Sequence, residues 1–222
     1  MAIDLVIFDM DGVLVDSELI SCRAGAACLT EAGFPIDERT VCERYLGTSV
    51  TTMFKDVEAR FGRKLPEGFR DHIRQRTLEA YEGELEPVTG IERVLARTRG
   101  PVCVASSSHP ERIRRSLELC GLHERLQPNL FSSTMVENGK PAPDLFLYAA
   151  RTMGAEPGRC MVVEDSIAGV TAGVAAGMTV VGFTAGSHVD HAVHAPKLRA
   201  AGAHHVATDA DGLIRLMEDL NA

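Results

Sequence analysis

Ile3-Asp4-Leu5-Val6-Ile7-Phe8-Asp9-Met10-Asp11-Gly12-Val13-Leu14-Val15-Asp16-Ser17-Glu18 stands almost at the start of the chain, and it decides how the remainder reads. The apolar run closing at Phe8 has the Val/Ile-rich character of a strand covered on both faces. Two aspartates follow it, two residues apart. In extended backbone such positions point to the same side, so Asp9 and Asp11 can face one site. Crowded carboxylates repel unless something positive joins them, and a hard divalent cation with oxygen ligands answers that need. Gly12 then permits a tight turn that a side chain would obstruct. Taken alone, the pair also reads as a surface turn with two solvated aspartates.

Four more β-like runs lie downstream: Val102–Ala105, Cys160–Glu164, Thr179–Phe183 and, more weakly, His205–Ala207. Between them are helical patterns with stop signals. Glu111–Cys120 ends at Gly121, Asp144–Met153 at Gly154 and Ser166–Ala176 at Gly177. This alternation predicts an α/β fold, a doubly wound parallel sheet of Rossmann-like type with right-handed crossovers. Residues 17–86 differ. They are charged and helix-like throughout, with Asp16 or Ser17 as a cap for a helix running to Gly33 and further helices over Thr51–Phe61 and Gly68–Tyr81. So long a stretch is no ordinary crossover. It predicts a small α-helical cap domain (17–86) inserted into a core made of 1–16 and 87–222.

Three features converge on the D-x-D pair, because open parallel sheets bind ligands beyond the carboxyl ends of their strands. Ser106 ends the run Val102-Cys-Val-Ala-Ser-Ser-Ser108; its hydroxyl, with backbone N–H groups beside it at Ser107, could hold a phosphate oxygen. A helix-capping serine ahead of Pro110 is the alternative. Lys140, in Asn138-Gly-Lys-Pro-Ala-Pro-Asp144, is stiffened by its neighbours and suits a phosphate counter-charge; a solvated loop lysine is the plain alternative. Glu164-Asp165-Ser166 closes the third core strand with an acidic pair, where Asp165 or Ser166 can also cap the following helix.

The combination of D-x-D-G-V-x-x-D-S-E at 9–18, V-A-S-S-S at 104–108, G-K-P-x-P-D at 139–144 and V-V-E-D-S-x-A-G at 162–169 resembles the haloacid dehalogenase superfamily. It is most similar to the phosphatase and β-phosphoglucomutase-like branch, which carries a helical cap after the first strand. The resemblance implies Asp9 as nucleophile and Asp11 as general acid/base. It implies Ser106, Ser107 and Lys140 as ligands of the transferring phosphoryl group. Mg²⁺ would be bound by Asp9, the backbone carbonyl of Asp11 and Asp165, with Glu164 as an additional or outer partner. It implies a small phosphorylated substrate. A second acid at Asp11 and a metal site have no use in dehalogenation, which the pattern therefore excludes.

In this branch the cap implies substrate choice and closure over the site. Ser21 and Arg23 on its first helix and Gly47 in Tyr45-Leu-Gly-Thr-Ser49 are the candidates. Arg23 could pair with a carboxylate or second phosphate, or simply face solvent; Gly47 could approach the ligand, or stop a helix. Mutases of the branch resemble this chain in the core but carry His where Ser21 stands and Arg where Val50 stands. The D-S-E at 16–18 followed by Arg23 is more similar to the sugar-phosphate and sugar-acid-phosphate phosphatases, the 6-phosphogluconate phosphatases among them. Hydrolysis is the expectation. A mutase that returns the phosphoryl group, or a protein that only binds a phospho-ligand, are the rivals.

The remaining signals bound these readings. The 222 residues, 45% hydrophobic and 24% charged, suffice for a substantial core. No apolar run of eighteen residues exists and no basic segment precedes a hydrophobic one, so a cytoplasmic protein without membrane association is expected. A net charge of −8 argues against nucleic acid. Six scattered cysteines read as reduced core residues. A monomer is expected, as no apolar stripe announces a partner. Gly139-Lys140 is followed by Pro141, which rules out a Walker loop. Gly169, Gly173 and Gly177 recur every fourth residue and read as close helix–sheet packing. His188, His191 and His194 form an H-x-x-H-x-x-H run, either a polar loop or a zinc site.

Overall fold

The computed structural model describes residues 3–46, 48 and 50–220. The chain divides into two compact units, Met1–Asp16 with Glu86–Ala222, and Ser17–Leu85.

The first unit is built on six parallel strands, β1 (Leu5–Phe8), β2 (Val102–Ser106), β3 (Leu130–Ser132), β4 (Cys160–Glu164), β5 (Thr179–Phe183) and β6 (His205–Ala207), in the order β3-β2-β1-β4-β5-β6. β1 lies at the centre, with Ile7 paired to Cys103 on one side and Val162 on the other. All four of its residues are buried, each worth about 1.5–3 kcal/mol, so the backbone that presents Asp9 is firmly fixed. From β1 the chain first fills one side of the sheet and then returns to fill the other. The carboxyl end of β1 is therefore the topological switch point where such sheets bind ligands.

The alternation of strands is visible in the core. Leu5, Ile7, Cys103, Ala105, Cys160, Val162 and Val180 form one face and pack with Leu145, Phe146, Val170 and Leu198. β3 is the strand the sequence pattern does not reveal. Its three residues, between Pro128-Asn129 and Ser133, are too few to display a period. Pairing of Ala105 with Phe131 fixes them at the sheet edge.

The second unit consists of α1 (Glu18–Glu31), α2 (Glu38–Tyr45), α3 (Val50–Phe61) and α4 (Phe69–Tyr81). It has its own core of Cys22, Ala26, Leu29, Phe34, Ile36, Val41, Met53, Val57, Phe69 and Ile73. Asp37 caps α2 by accepting from Thr40 N at 2.7 Å. Ser17 occupies the N-cap position of α1 without a side-chain capping bond. The helices of the first unit are α5 (Ile91–Arg97), α6 (Pro110–Leu119), α7 (His123–Leu126), α8 (Asp144–Thr152), α9 (Ile167–Ala175), α10 (His191–Ala200) and α11 (Ala210–Leu220). Pro110 opens α6, and Ser166 caps α9 by accepting from Gly169 N at 3.0 Å. Among the described residues no helix is long and apolar enough to cross a membrane.

Candidate active site

Asp9 is the first residue past β1, and its N–H still bonds Val163 O across the sheet at 3.0 Å. The chain then folds sharply back. Met10 O accepts from the N–H groups of Val13, Leu14 and Val15, and Gly12 N bonds Val15 O at 2.9 Å. Gly12 sits at φ +75°, and a Cβ there would lie 2.1 Å from Asp165 Oδ2. Two separate reasons thus require glycine: backbone angle and the closeness of a carboxylate from β4.

Lys140 reaches into the acids from the loop before α8. Its Nζ donates to Asp9 Oδ1 (2.7 Å), Glu164 Oε1 (2.7 Å) and the carbonyl of Ala105 (2.9 Å), matching its three protons to three acceptors. The side chain is only 4% exposed. Burial works against the ammonium, yet Asp9 and Glu164 outweigh it and hold Lys140 above its usual range. The second oxygen of Glu164 accepts from Ser166 N (2.7 Å) and Ser166 Oγ (2.9 Å). Both carboxylate oxygens of Glu164 are thus engaged by protein donors.

Carboxylate oxygens of Asp9, Glu164 and Asp165 all lie within 4.8 Å of one another, and all three residues are buried. Burial is the main cause that pushes Asp9 well above the usual carboxylate range; Lys140 opposes it, while Glu164, Asp165 and Asp11 add to it. Asp165 is raised likewise, by burial and then by Glu164, against Lys140. Three buried acids around one ammonium leave an excess of two negative charges when all are ionised. An all-oxygen donor set with that deficit fits a hard divalent cation such as Mg²⁺.

Asp11 turns elsewhere. Its Oδ1 meets the Arg112 guanidinium at 2.7 Å, and its Oδ2 accepts from Ser108 Oγ at 2.8 Å. Its side chain is therefore not part of the acidic trio. Ser106 is buried at the end of β2, and its Oγ accepts from Ser108 N at 3.1 Å. Ser107 is exposed, and its carbonyl accepts from Ser133 Oγ.

Asp9, Asp11, Ser106, Lys140, Glu164 and Asp165 all belong to the first unit, and the fold brings Asp9, Lys140, Glu164 and Asp165 together. In the helical unit Arg23 is exposed and ion-paired with Glu84, and Ser21 Oγ lies 2.7 Å from Tyr81 OH. Gly47 lies outside the described residues.

Sequence reasoning passed over Ser108 and Arg112. A triplet of serines does not announce which hydroxyl turns inward, and Arg112 is one of three arginines within four residues. The histidine run forms no three-ligand cluster among the described residues, and of the polar loop only part is open to solvent: His191 is exposed while His188 is not. His188 has a wholly buried side chain with Nε2 3.0 Å from Asp165 Oδ2. His191 Nδ1 lies 3.1 Å from Thr184 Oγ1, and His194 Nε2 bonds the carbonyl of Asp165. Asp16, read as a helix cap, instead accepts from Ser187 N at 3.1 and 3.3 Å and ties the loop before α10 to the β1 turn.

A family model described as haloacid dehalogenase-like hydrolase matches residues 3–177. The chain is 32% identical over 197 residues to the 6-phosphogluconate phosphatase of Escherichia coli (strain K12), covering 88% of this chain and 89% of that protein. It is 30% identical to the β-phosphoglucomutase of Bacillus subtilis (strain 168), covering 82% and 83%. A conserved haloacid dehalogenase-like protein of unknown function from Agrobacterium tumefaciens superposes over the whole of both chains with a TM-score of 0.85 at 34% identity.

Proposed function

The chain belongs to the haloacid dehalogenase-like hydrolase family, and we propose that it is a Mg²⁺-dependent phosphatase that hydrolyses a small phosphorylated sugar or sugar acid through an aspartyl-phosphate on Asp9. The observation that carries this reading is Lys140 Nζ at 2.7 Å from both Asp9 and Glu164, beside the buried Asp165.

A carboxylate attacking a phosphate monoanion or dianion works against repulsion of about 4 kcal/mol per pair of charges at ~4 Å, for an effective dielectric near 20. Lys140, bonded to Asp9 Oδ1, offsets part of it at the attacking carboxylate. In the first step an Asp9 oxygen attacks phosphorus in line, the bond from phosphorus to the sugar oxygen breaks, and Asp11 gives that oxygen its proton. In the second step Asp11 takes a proton from water, whose oxygen attacks phosphorus and releases inorganic phosphate from Asp9. Ser106 holds a phosphoryl oxygen during both steps and Lys140, its protons given to Asp9, Glu164 and the Ala105 carbonyl, serves the phosphoryl group as a counter-charge; the exposed Ser107 contributes by its backbone. Arg112 and Ser108 keep Asp11 aimed. Asp9, Asp165 and the backbone carbonyl of Asp11 would hold Mg²⁺, which when bound neutralises charge on the phosphoryl group. Glu164, with both oxygens engaged, serves by holding Lys140.

Identity alone does not separate a phosphatase from a mutase, since relatives of both names match about equally well. Ser21 and Val50 favour hydrolysis. The mutase pattern has His and Arg there, and in this chain the Ser21 hydroxyl sits against Tyr81 OH. We assign the helical unit, with Arg23 and Gly47, to the choice of ester.

Free phosphate released from a panel of phosphorylated sugars and sugar acids, with Mg²⁺ and with Asp9→Asn alongside, tests this reading. Release that vanishes in Asp9→Asn and in chelator is expected, with the sugar acids among the better substrates. Interconversion of sugar phosphates without free phosphate would establish the mutase instead.

A further inference from the structure

We propose that His188 is a positioning residue which, together with His194, clamps Asp165 in the pose that binds the divalent cation; this rests on the cation site proposed above. The H-x-x-H-x-x-H run then has a purpose that is neither zinc binding nor solubility.

Three observations support it. First, the His188 side chain is wholly buried and its Nε2 stands 3.0 Å from Asp165 Oδ2. The contact is one of close packing within ion-pair reach rather than an aligned hydrogen bond; an imidazole packed against one carboxylate oxygen restrains the group and leaves the second oxygen available to a cation. Second, the slot around the ring is made by two glycines. A Cβ at Gly12 would come within 2.7 Å of His188 Cε1, and one at Gly186 within 2.6 Å of Cε1 and 2.7 Å of Nδ1. Both glycines therefore lie against the imidazole as well as the turn. The loop is also fastened to that turn, through Ser187 N and the carboxylate of Asp16. Third, His194 holds the same residue from the main chain. A carbonyl can only accept, so His194 Nε2 carries the proton it gives to Asp165 O. Side chain and backbone of Asp165 are thus contacted by two residues of a single segment, His188 in the turn before α10 and His194 within it.

The imidazole of His188 is not itself a ligand of the trio. The mutually close oxygens belong to Asp9, Glu164 and Asp165. Its action is through Asp165, and outer partners of this kind typically change metal affinity about 10- to 100-fold when removed.

Mn²⁺ titration followed by the EPR signal of the free aquo ion measures occupancy without turnover, and Mg²⁺ competition repeats it for the proposed metal. His188→Ala is expected to weaken Mn²⁺ at least about 10-fold, and His188→Gln, which keeps a polar side chain in the slot, to lose less. His191→Ala, whose ring meets Thr184 instead, keeps wild-type affinity. In turnover, His188→Ala raises the Mg²⁺ concentration needed for half-maximal rate, with kcat at saturating Mg²⁺ largely restored. Melting in chelator establishes that each variant is folded, and if His188→Ala is not, His188→Gln carries the comparison. Folded His188 variants that bind Mn²⁺ as wild type does overturn the clamp. If wild type itself binds neither ion, the cation site falls, and the clamp with it.

Discussion

Lys140 offers three protons and meets three acceptors, two of them buried carboxylates. Removing it leaves Asp9 and Glu164 facing each other without a counter-charge. Loss of one member of a buried pair typically costs about 3–5 kcal/mol. Lys140→Met should therefore lower stability by about that amount in metal-free buffer, read by denaturant unfolding, besides abolishing phosphate release. A cost below ~1 kcal/mol would mean that the acids are already neutralised by protons. Asp11 supplies the second prediction at this scale. Positioned acid–base groups contribute about 10²–10⁴-fold to rate, and Arg112 and Ser108 aim this one. Arg112→Ala and Ser108→Ala should each lower kcat within that range, with KM little changed. A rise in KM alone would make Arg112 a substrate ligand instead. Lys140 was legible because Gly139 and Pro141 mark a fixed loop. Arg112 was not: only the packing of Ile113 and Leu117 against the core decides which arginine of α6 points to the site.

At the scale of the element, α9 explains the recurrence of glycine every fourth residue. A Cβ at Gly169 would lie 1.6 Å from Glu164 Oε1, and one at Gly173 2.7 Å from Val180 Cγ2. Close packing accounts for both. Gly177 is different. It has open space around it and φ +72°, so it ends the helix. Three glycines in one pattern thus have two causes, which periodicity cannot separate. Gly173→Ala should cost about 1–3 kcal/mol through overpacking, and Gly177→Ala about 1–2 kcal/mol through its backbone angle. Gly169→Ala should additionally displace Glu164 and with it Lys140, so its phosphate release should fall further than that of Gly173→Ala at equal folded fraction. Equal activities would mean that Glu164 does not hold Lys140. The strands show the same division. β1, β2, β4 and β5 were readable as apolar runs, whereas β3 owes its existence to pairing with β2 and has no local signal.

For the whole molecule, strand–helix alternation was enough to identify the α/β sheet, because every crossover must return to a parallel neighbour. The candidate site followed from the sheet, since Asp9, Ser106 and Glu164-Asp165 stand at strand carboxyl ends and Lys140 in the loop between β3 and α8. What the sequence left open is how the buried charge is balanced, and that is a property of global stability. Asp9 and Asp165 have folded-state values raised above the ordinary carboxylate value of about 4. Between those values the folded chain keeps protons that the unfolded chain has released. This contribution to stability is therefore present at acid pH and is lost as pH rises through the raised values. A cation that binds the ionised acids stabilises in the opposite sense, by RT ln(1 + [L]/Kd), and competes with protons for them. The increase in melting temperature on adding Mg²⁺ over chelator should consequently be larger at about pH 8 than at about pH 5. Taking the difference with and without Mg²⁺ at each pH cancels titrations remote from the site. In Asp165→Asn the pH dependence of that increase should largely disappear. A Mg²⁺ effect that is flat or shrinks with rising pH would place the cation away from Asp9 and Asp165, and their charge would then be balanced by Lys140 and by protons.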